Sequence, residues 1–187
     1  VLALASLRGV KRLVWESHTG AWNSAARFVA RRAVSIVVIS RGLKDFYVAH
    51  GVPKDNILVA HDGVDLESFA HPESKESARR RLGLPLDKKI ALYIGSLGAG
   101  KGADIFCVAA AYLSSTLRAV VIGGRPDEVK EWSKKHPRVI FTGPRPYREL
   151  PDNQQVADVL VIPNSGKNEV WSKFTSPLKL FAAMASN

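Results

Sequence analysis

Short apolar runs rich in Val, Ile and Leu recur along the chain and alternate with amphipathic stretches. These runs predict parallel-sheet strands buried on both faces, at Leu13 to Trp15, Ser35 to Ile39, Ile57 to Ala60, Ile90 to Ile94, Ala119 to Ile122, Val139 to Phe141 and Val159 to Ile162. Helices are predicted between them, at Ala21 to Arg32, Leu43 to His50, Lys75 to Leu82, Ala103 to Ser114, Asp127 to Lys135, Arg148 to Gln155 and Pro177 to Ala185. The alternation predicts an α/β fold with right-handed crossovers.

A polar, charged stretch from Glu67 to Lys89 interrupts this alternation. Its prolines and basic run indicate a linker that carries one exposed helix. We therefore predict a domain boundary near residue 85, with residues 1–84 as the end of an amino-terminal domain plus linker and residues 85–187 as a second domain. Because the terminal helix of such a fold feeds another parallel strand, we expect native sequence to continue beyond both ends.

Composition narrows the function classes. The 187 residues are 46% hydrophobic, which is enough for a globular core, and the single Cys107 excludes an internal disulfide and is expected to pack. Neither a membrane-spanning run nor a signal peptide is found in the sequence, so we expect a cytoplasmic location. The net charge of +10 favours anionic partners. The basic residues are dispersed and lack interleaved aromatics, which favours solvated faces first, peripheral contact with an anionic membrane second, and disfavours nucleic acid.

The loops that follow parallel strands are where ligands bind in such sheets. The loop after Ile94 has the sequence GSLGAGKG, from Gly95 to Gly102, and contains Lys101. Glycines allow close backbone approach and positive φ, and the lysine adds a charge for phosphate. A nucleoside-triphosphatase loop is disfavoured, because Gly102 stands where a magnesium-binding hydroxyl is needed. A tight strand-to-helix turn is the alternative interpretation.

The segment TSPLKLFAAMASN, from Thr175 to Asn187, predicts a short helix with an open amino-terminal end. Ser176 is predicted to cap it and Pro177 to be its first residue. Its buried side is predicted to be formed by Leu178, Leu180, Phe181 and Met184. Free N–H groups and the helix dipole at such an end attract phosphate. An ordinary capped helix that packs on a sheet is the competing interpretation.

A histidine follows the first predicted strand. His18 stands just beyond Trp15, where it could donate to a bound sugar or phosphate or act as an acid or base, although a lone histidine more often caps or packs. His61 and Asp62 follow the third strand but have no third ligand at a plausible spacing. Neither position predicts a metal site.

Taken in order, these segments resemble the retaining, nucleotide-sugar-dependent glycosyltransferases of the GT-B fold, specifically glycosyltransferase family 4 (group 1). The resemblance is carried by VVISRGLKDFYVAHGVPKDNILVAHDGVDLESF from Val37, ALYIGSLGAGKGAD from Ala91, VVIGGRPDE from Val120, VIFTGPRPYRELPDNQQVADVLVIPN from Val139, and the closing segment from Thr175. It implies two Rossmann-like parallel-sheet domains, both incomplete in this chain. It also implies transfer of a hexose from a nucleotide diphosphate sugar to a glycan or lipid-linked acceptor with retention.

The resemblance also implies residue roles. The donor diphosphate would be held by the glycine-rich loop and by the start of the closing helix, at Gly95, Ser96, Lys101, Ser176, Leu178 and Lys179. His18 matches the family's histidine that approaches the sugar near the bond being broken. No cofactor or metal is implied, because fixed positive charge and backbone dipoles stabilise the leaving diphosphate.

Three positions depart from the family pattern. Ser96 replaces an arginine of the loop, Phe174 replaces an acidic residue, and Ala182 replaces the glutamate that hydrogen-bonds the nucleotide ribose. Loss of a charged acceptor typically costs about 1.5 to 3 kcal/mol. These departures leave a second interpretation open, in which the chain is a catalytically decayed relative that acts as a binding or scaffold module.

Overall fold

The computed structural model describes residues 12–98, 100–163, 173–174 and 176–186. The described part contains the strands β1 Val14–Ser17, β2 Ser35–Val38, β3 Ile57–Val59, β4 Lys89–Ile94, β5 Leu117–Ile122, β6 Val139–Phe141 and β7 Val159–Leu160. Its α-helices are α1 Ser24–Arg32, α2 Arg41–Ala49, α3 Lys75–Arg81, α4 Ala103–Ala109, α5 Pro126–Lys135, α6 Leu150–Gln154 and α7 Leu178–Ala185. Short 3-10 helices lie at Lys54–Asn56, Leu66–Phe69, Ala110–Tyr112 and Tyr147–Glu149. Each predicted strand and helix is therefore found, with ends that differ by a few residues.

The chain divides into two compact units. The first comprises the described residues of Val1–Asp62 and Gly166–Pro177, and the second those of Gly63–Ser165 and Leu178–Asn187. Residues 63–84 thus group with the second unit, and the domain boundary near residue 85 stays a prediction.

The first unit is built on a parallel sheet with the strand order β1-β2-β3. Asn23 caps α1 by accepting the Ala26 N–H at 2.9 Å, and Ser40 caps α2 by accepting the Leu43 N–H at 3.2 Å. The core contains the fully buried Tyr47, whose hydroxyl lies 2.6 Å from the Ser17 hydroxyl. The caps satisfy N–H groups at the starts of the two helices, and the buried hydrogen bond joins α2 to β1.

The second unit has a parallel sheet with the order β6-β5-β4-β7. Alternate residues of β4 and β5 enter two separate cores, with Tyr93 and Val121 on one face and Leu92 and Val120 on the other. The α/β fold with parallel sheets is therefore confirmed. Burial on both faces holds for the central strands only, because the outer strands expose the side chains of Val14, Leu58 and Val159.

Helix α3 corrects the prediction of an exposed linker helix. Ala78 is fully buried, and Arg79 is 5% exposed. The Arg79 guanidinium donates to the Val156 carbonyl at 2.9 Å and to the Asp158 carboxylate at 2.7 Å. The helix belongs to the core of the second unit because Ala78 packs there with Ile90 and Leu92, and the carboxylate of Asp158 pairs with the buried arginine.

Cys107 lies in the core beside Phe106, as expected for a packing residue. Burial, followed by the nearby Asp104 carboxylate, raises the pKa of its thiol to about 11. Of the helices that the structure describes, none has the length and apolar character needed to cross a bilayer.

Candidate functional site

Glycines continue the backbone pairing of β4, β5 and β6 just beyond the carboxyl ends of these strands. The Gly95 N–H donates to the Ile122 carbonyl at 3.0 Å, and the Gly123 N–H donates to the Gly143 carbonyl at 2.8 Å. Gly95 and Gly123 have φ of +152° and +125°, and a Cβ on Gly123 would overlap the Gly95 carbonyl oxygen. This edge of the sheet is therefore formed by backbone that a ligand can approach closely.

Tyr93, at the end of β4, holds the glycine-rich loop. Its hydroxyl donates to the Ser96 carbonyl at 2.8 Å and lies 3.4 Å from the Lys101 carbonyl oxygen. Burial, then the nearby Cys107 and Asp104, raises the pKa of this hydroxyl to about 12, so it remains a donor at neutral pH. Sequence reasoning missed Tyr93. The available signal was a tyrosine in a fully apolar strand, since a buried hydroxyl needs a partner.

Lys179, in the first turn of α7, reaches the same tyrosine. Its Nζ donates to the Tyr93 hydroxyl at 3.0 Å and lies 4.2 Å from the ring centroid. Burial, followed by the charge of Lys101, lowers the pKa of the Lys179 amine to about 8. Two lysine charges thus act on each other at the edge where the glycine-rich loop and α7 meet, and an anion placed there would relieve their repulsion.

Gly95 leaves the space that the Lys179 side chain occupies. A Cβ added at Gly95 would lie 2.5 Å from Lys179 Nζ and 3.2 Å from the Tyr93 hydroxyl. A side chain there would therefore displace the amine or the loop. Glycine at this position keeps the amine seated on the tyrosine ring.

A cavity of about 230 Å³ opens beside Lys179. Its wall is largely aliphatic and includes Leu92, Leu160 and Ile162, together with Ala182 of α7. A second cavity of about 410 Å³ shares Ile94, Gly95, Tyr147 and Leu150 with the first and is also lined by Arg125 and Arg145. Glu128, which pairs with Arg125 at 3.5 Å, also lines the second cavity. An apolar cavity beside one with two arginines and one carboxylate suits a ligand with one flat or apolar part and one anionic part.

Most of the predicted diphosphate residues lie in this second unit. Tyr93 links the backbone of Ser96 to the amine of Lys179, and Lys101 acts on that amine through its charge. Leu178 and Ala182 line the first, largely aliphatic cavity, as Lys179 does. Their roles toward a donor stay predictions.

Ser176 has a different partner from the one predicted. Helix α7 begins at Leu178, so Pro177 precedes the first helical residue. The Ser176 hydroxyl instead accepts the N–H of Asp62 at 3.1 Å, within the first unit. Ser176 therefore stands two residues before the first helical residue, one position further from the helix than predicted, and the contact shown for its hydroxyl is distant in sequence.

The predicted buried side of α7 is wrong at three of its four residues, and Phe181, the fourth, is partly buried. Leu178, Leu180 and Met184 are exposed by 47%, 43% and 68%, whereas Ala182 is 3% exposed. Nearly every residue of α7 is apolar, so its periodicity selects no face. The side with the small Ala182 and the Tyr93-bound Lys179 is the one that packs.

His18 and Phe174 both lie in the first unit. The His18 Nε2 is 2.8 Å from Glu16 Oε1, and the two side chains are 53% and 65% exposed. The Phe174 ring packs against Gly20 and lies 5.4 Å from the Phe46 ring. The catalytic role of His18 stays a prediction. Thr175 and Asn187, the ends of the closing segment, are outside the described residues.

Within the described ranges, no group of three or more His, Cys, Asp or Glu side chains is arranged to hold a metal ion. The expectation of metal-independent chemistry stays a prediction.

Comparison with known proteins gives the family. Residues 74–172 match the profile of the glycosyl transferases group 1. The chain belongs to this family. The matched range begins at the cap of α3 and includes the glycine-rich loop, Tyr93 and the lining of the second cavity. Lys179 and Ala182, which line the first cavity, lie beyond it.

The relatives of this group 1 chain are longer proteins. It is 32% identical over 139 residues to a D-inositol 3-phosphate glycosyltransferase of Xylanimonas cellulosilytica, covering 67% of this chain and 33% of that protein. Among solved structures it resembles Anabaena Alr3699/HepE in complex with UDP, with a TM-score of 0.71 and 20% identity over 88% of this chain and 50% of that one. The same protein was solved with UDP-glucose. WaaG, a glycosyltransferase involved in lipopolysaccharide biosynthesis, gives a TM-score of 0.66 and 16% identity over 98% and 59%.

The chain thus spans about a third of the curated relative's length and about half of the solved structures. The structural likenesses confirm the expected GT-B type of α/β fold and, at this identity, show the fold alone. Membership of family 4 and retention of configuration stay predictions.

Proposed function

We propose that the second unit binds a nucleoside diphosphate sugar and that the whole protein transfers its hexose to a glycan or lipid-linked acceptor with retention. The observation that carries the proposal is the half-buried amine of Lys179, held on Tyr93 beside the charge of Lys101. Burying an amine is costly unless an anion repays the lost hydration. The leaving diphosphate of a sugar nucleotide is such an anion.

The two lysines would act on the leaving group. As the glycosidic bond to the diphosphate breaks, negative charge accumulates on its bridging oxygen, and fixed cations stabilise that charge without reorganisation. The backbone of the glycine-rich loop and the first N–H groups of α7 add partial positive charge. UDP and UDP-glucose in the HepE structures support a nucleotide sugar as the donor.

The proposed acceptor rests on the relatives, and the proposed setting rests on the charge of the chain. WaaG takes part in lipopolysaccharide biosynthesis, which supports a cell-envelope glycan or glycolipid as the acceptor. The net charge of +10 is compatible with peripheral contact with an anionic membrane. His18 is proposed as the catalytic histidine on the resemblance to the family.

Titration calorimetry of the purified chain with UDP, GDP and ADP tests donor binding. One nucleoside diphosphate is expected to bind, and Lys101→Ala is expected to weaken that binding about tenfold or more with little change in the unfolding midpoint. Lys134→Ala is the matched control, because this exposed lysine of α5 removes the same charge away from the cavities. Equal binding by the wild type and Lys101→Ala would contradict the assignment of the loop.

A binding module without turnover is the second candidate. Ala182 is buried in the cavity wall and offers no hydrogen-bond acceptor from its side chain. In a full-length protein, Ala182→Glu would then leave turnover absent. Sugar transfer gained by that variant would count against the second candidate and favour the first.

A further inference from the structure

Gln154 is a buried amide on the wall of the apolar cavity. It is the last residue of α6, is 6% exposed and lines the cavity together with Lys179 and Ala182. Its Oε1 is fully buried and has no hydrogen-bond partner among the residues that the structure describes. An amide oxygen in this position is exceptional, because buried polar atoms are nearly always paired.

The surroundings of Gln154 are mostly hydrocarbon. Of the side chains that line this cavity, those of Tyr147, Lys179 and Gln154 carry polar atoms. Tyr147 is 76% exposed and Lys179 is hydrogen-bonded to Tyr93. Leaving a buried acceptor unpaired costs about 1 to 3 kcal/mol. Because this oxygen is itself closed to solvent, a ligand in the cavity recovers the free energy when the terminal amide turns its oxygen toward the ligand's O–H donor.

We infer that Gln154 accepts a hydrogen bond from a ribose hydroxyl of the nucleoside diphosphate. The inference rests on the proposed function, in which Lys179 marks the diphosphate end of the site. The ribose adjoins the diphosphate, and its hydroxyls are uncharged donors that suit a neutral amide in an apolar wall. Ala182 offers that sugar only a methyl group, so Gln154 supplies the acceptor for the ribose from the neighbouring helix.

Binding of the nucleoside diphosphate that the wild type selects, written below as UDP, and of its 2′-deoxy and 3′-deoxy analogues to the wild type and to Gln154→Leu tests this inference by titration calorimetry. The wild type is expected to bind UDP about tenfold more tightly than at least one of the two deoxy analogues. Gln154→Leu is expected to reduce that preference to less than about twofold, because it weakens the binding of UDP and leaves the binding of that deoxy analogue unchanged. The matched control is Gln155→Leu, because this neighbouring glutamine donates to the Ser186 carbonyl at 3.3 Å and does not line the cavity. It should keep the wild-type preference.

Gln154→Glu covers the case in which the leucine variant does not fold. A carboxylate is a stronger acceptor than an amide, so this variant should keep or increase the preference for UDP. Loss of the preference in Gln154→Glu, its persistence in a folded Gln154→Leu, or its absence from the wild type would overturn the inference while donor binding stands. A folded wild type that binds neither UDP, GDP nor ADP would overturn the proposed function, and the inference with it.

Discussion

Replacing Lys179 with methionine should stabilise the chain at neutral pH and weaken its binding of nucleoside diphosphates. The amine is half-buried, and burial and the charge of Lys101 lower its pKa from 10.5 to about 8. Methionine keeps an unbranched side chain of similar length on the Tyr93 ring but removes the charge. The variant would thus lose a cation that binds the diphosphate, and its folded state would be more stable.

The magnitude follows from the two pKa values. In the unfolded chain the amine titrates near 10.5 and in the folded chain near about 8, so the protonated folded form is penalised by about 3 kcal/mol. The hydrogen bond and ring contact with Tyr93 that methionine cannot reproduce are together worth about 1 to 2 kcal/mol. Lys179→Met should therefore raise the free energy of unfolding by about 1 to 2 kcal/mol near neutral pH.

The lowered pKa of Lys179 fixes the direction in which the free energy of unfolding changes with pH. Between about 8 and 10.5 the unfolded chain holds this proton more tightly than the folded chain, so the stability of the wild type rises with pH across that window. The advantage of Lys179→Met should be constant below about pH 8 and shrink by up to about 1.4 kcal/mol per pH unit above it.

Urea unfolding of both proteins between about pH 7 and about pH 9 measures this difference. Subtracting the two profiles removes the titrations that they share, and Lys134→Met, at an exposed site on α5, supplies the control for loss of a lysine charge. A stability difference between Lys179→Met and the wild type that does not change over this range would refute the account of a buried cationic amine.

Two further predictions concern the framework of the site, each measured by urea unfolding. Burial alone would raise the pKa of Asp158, but the Ile90 N–H and the Lys75 and Arg79 cations keep this pKa well below its usual range. Asp158→Asn should lower the free energy of unfolding by about 2 to 4 kcal/mol, and the exposed control Asp87→Asn by less than about 0.5 kcal/mol. The stabilisation by Asp158 should be present at neutral pH and lost as the pH falls below about 4. Equal costs for the two variants would contradict the pairing. Gly102→Ala should cost more than Gly83→Ala, which is expected to cost about 1 kcal/mol. Both have positive φ, but a Cβ at Gly102 would also overlap the Pro163 carbonyl; similar losses would show that the turn tolerates a side chain.

Local sequence patterns were sufficient for the strands and helices but not for their partners. The run from Ile90 to Ile94 predicts a buried strand, and the structure places β4 there. The same pattern gives no indication that the Tyr93 hydroxyl holds the loop and accepts from a lysine 86 residues further along the chain. Arg79 resembled a solvated linker residue for the same reason, since its Asp158 partner lies 79 residues away.

The site was predictable to the extent that it follows loop chemistry. Glycine and lysine after β4 predict a phosphate loop, a role that stays a prediction, and Gly102 adopts a positive φ that suits glycine. Gln154 was not predictable, because its importance comes from an unpaired oxygen in an apolar wall. Such a property depends on the absence of hydrogen-bond donors among residues that are close in space but distant in sequence, and no local motif encodes it.

Mapping backbone amide chemical shifts during titration with the nucleoside diphosphate that binds tests the central claim most directly. The account predicts that shifts change mainly at residues 95–102 and 178–182 and in the glycines after β5, and that Lys101→Ala abolishes these changes at the same ligand concentration. Changes spread over exposed basic residues such as those of α1 and α5, and retained in Lys101→Ala, would contradict it.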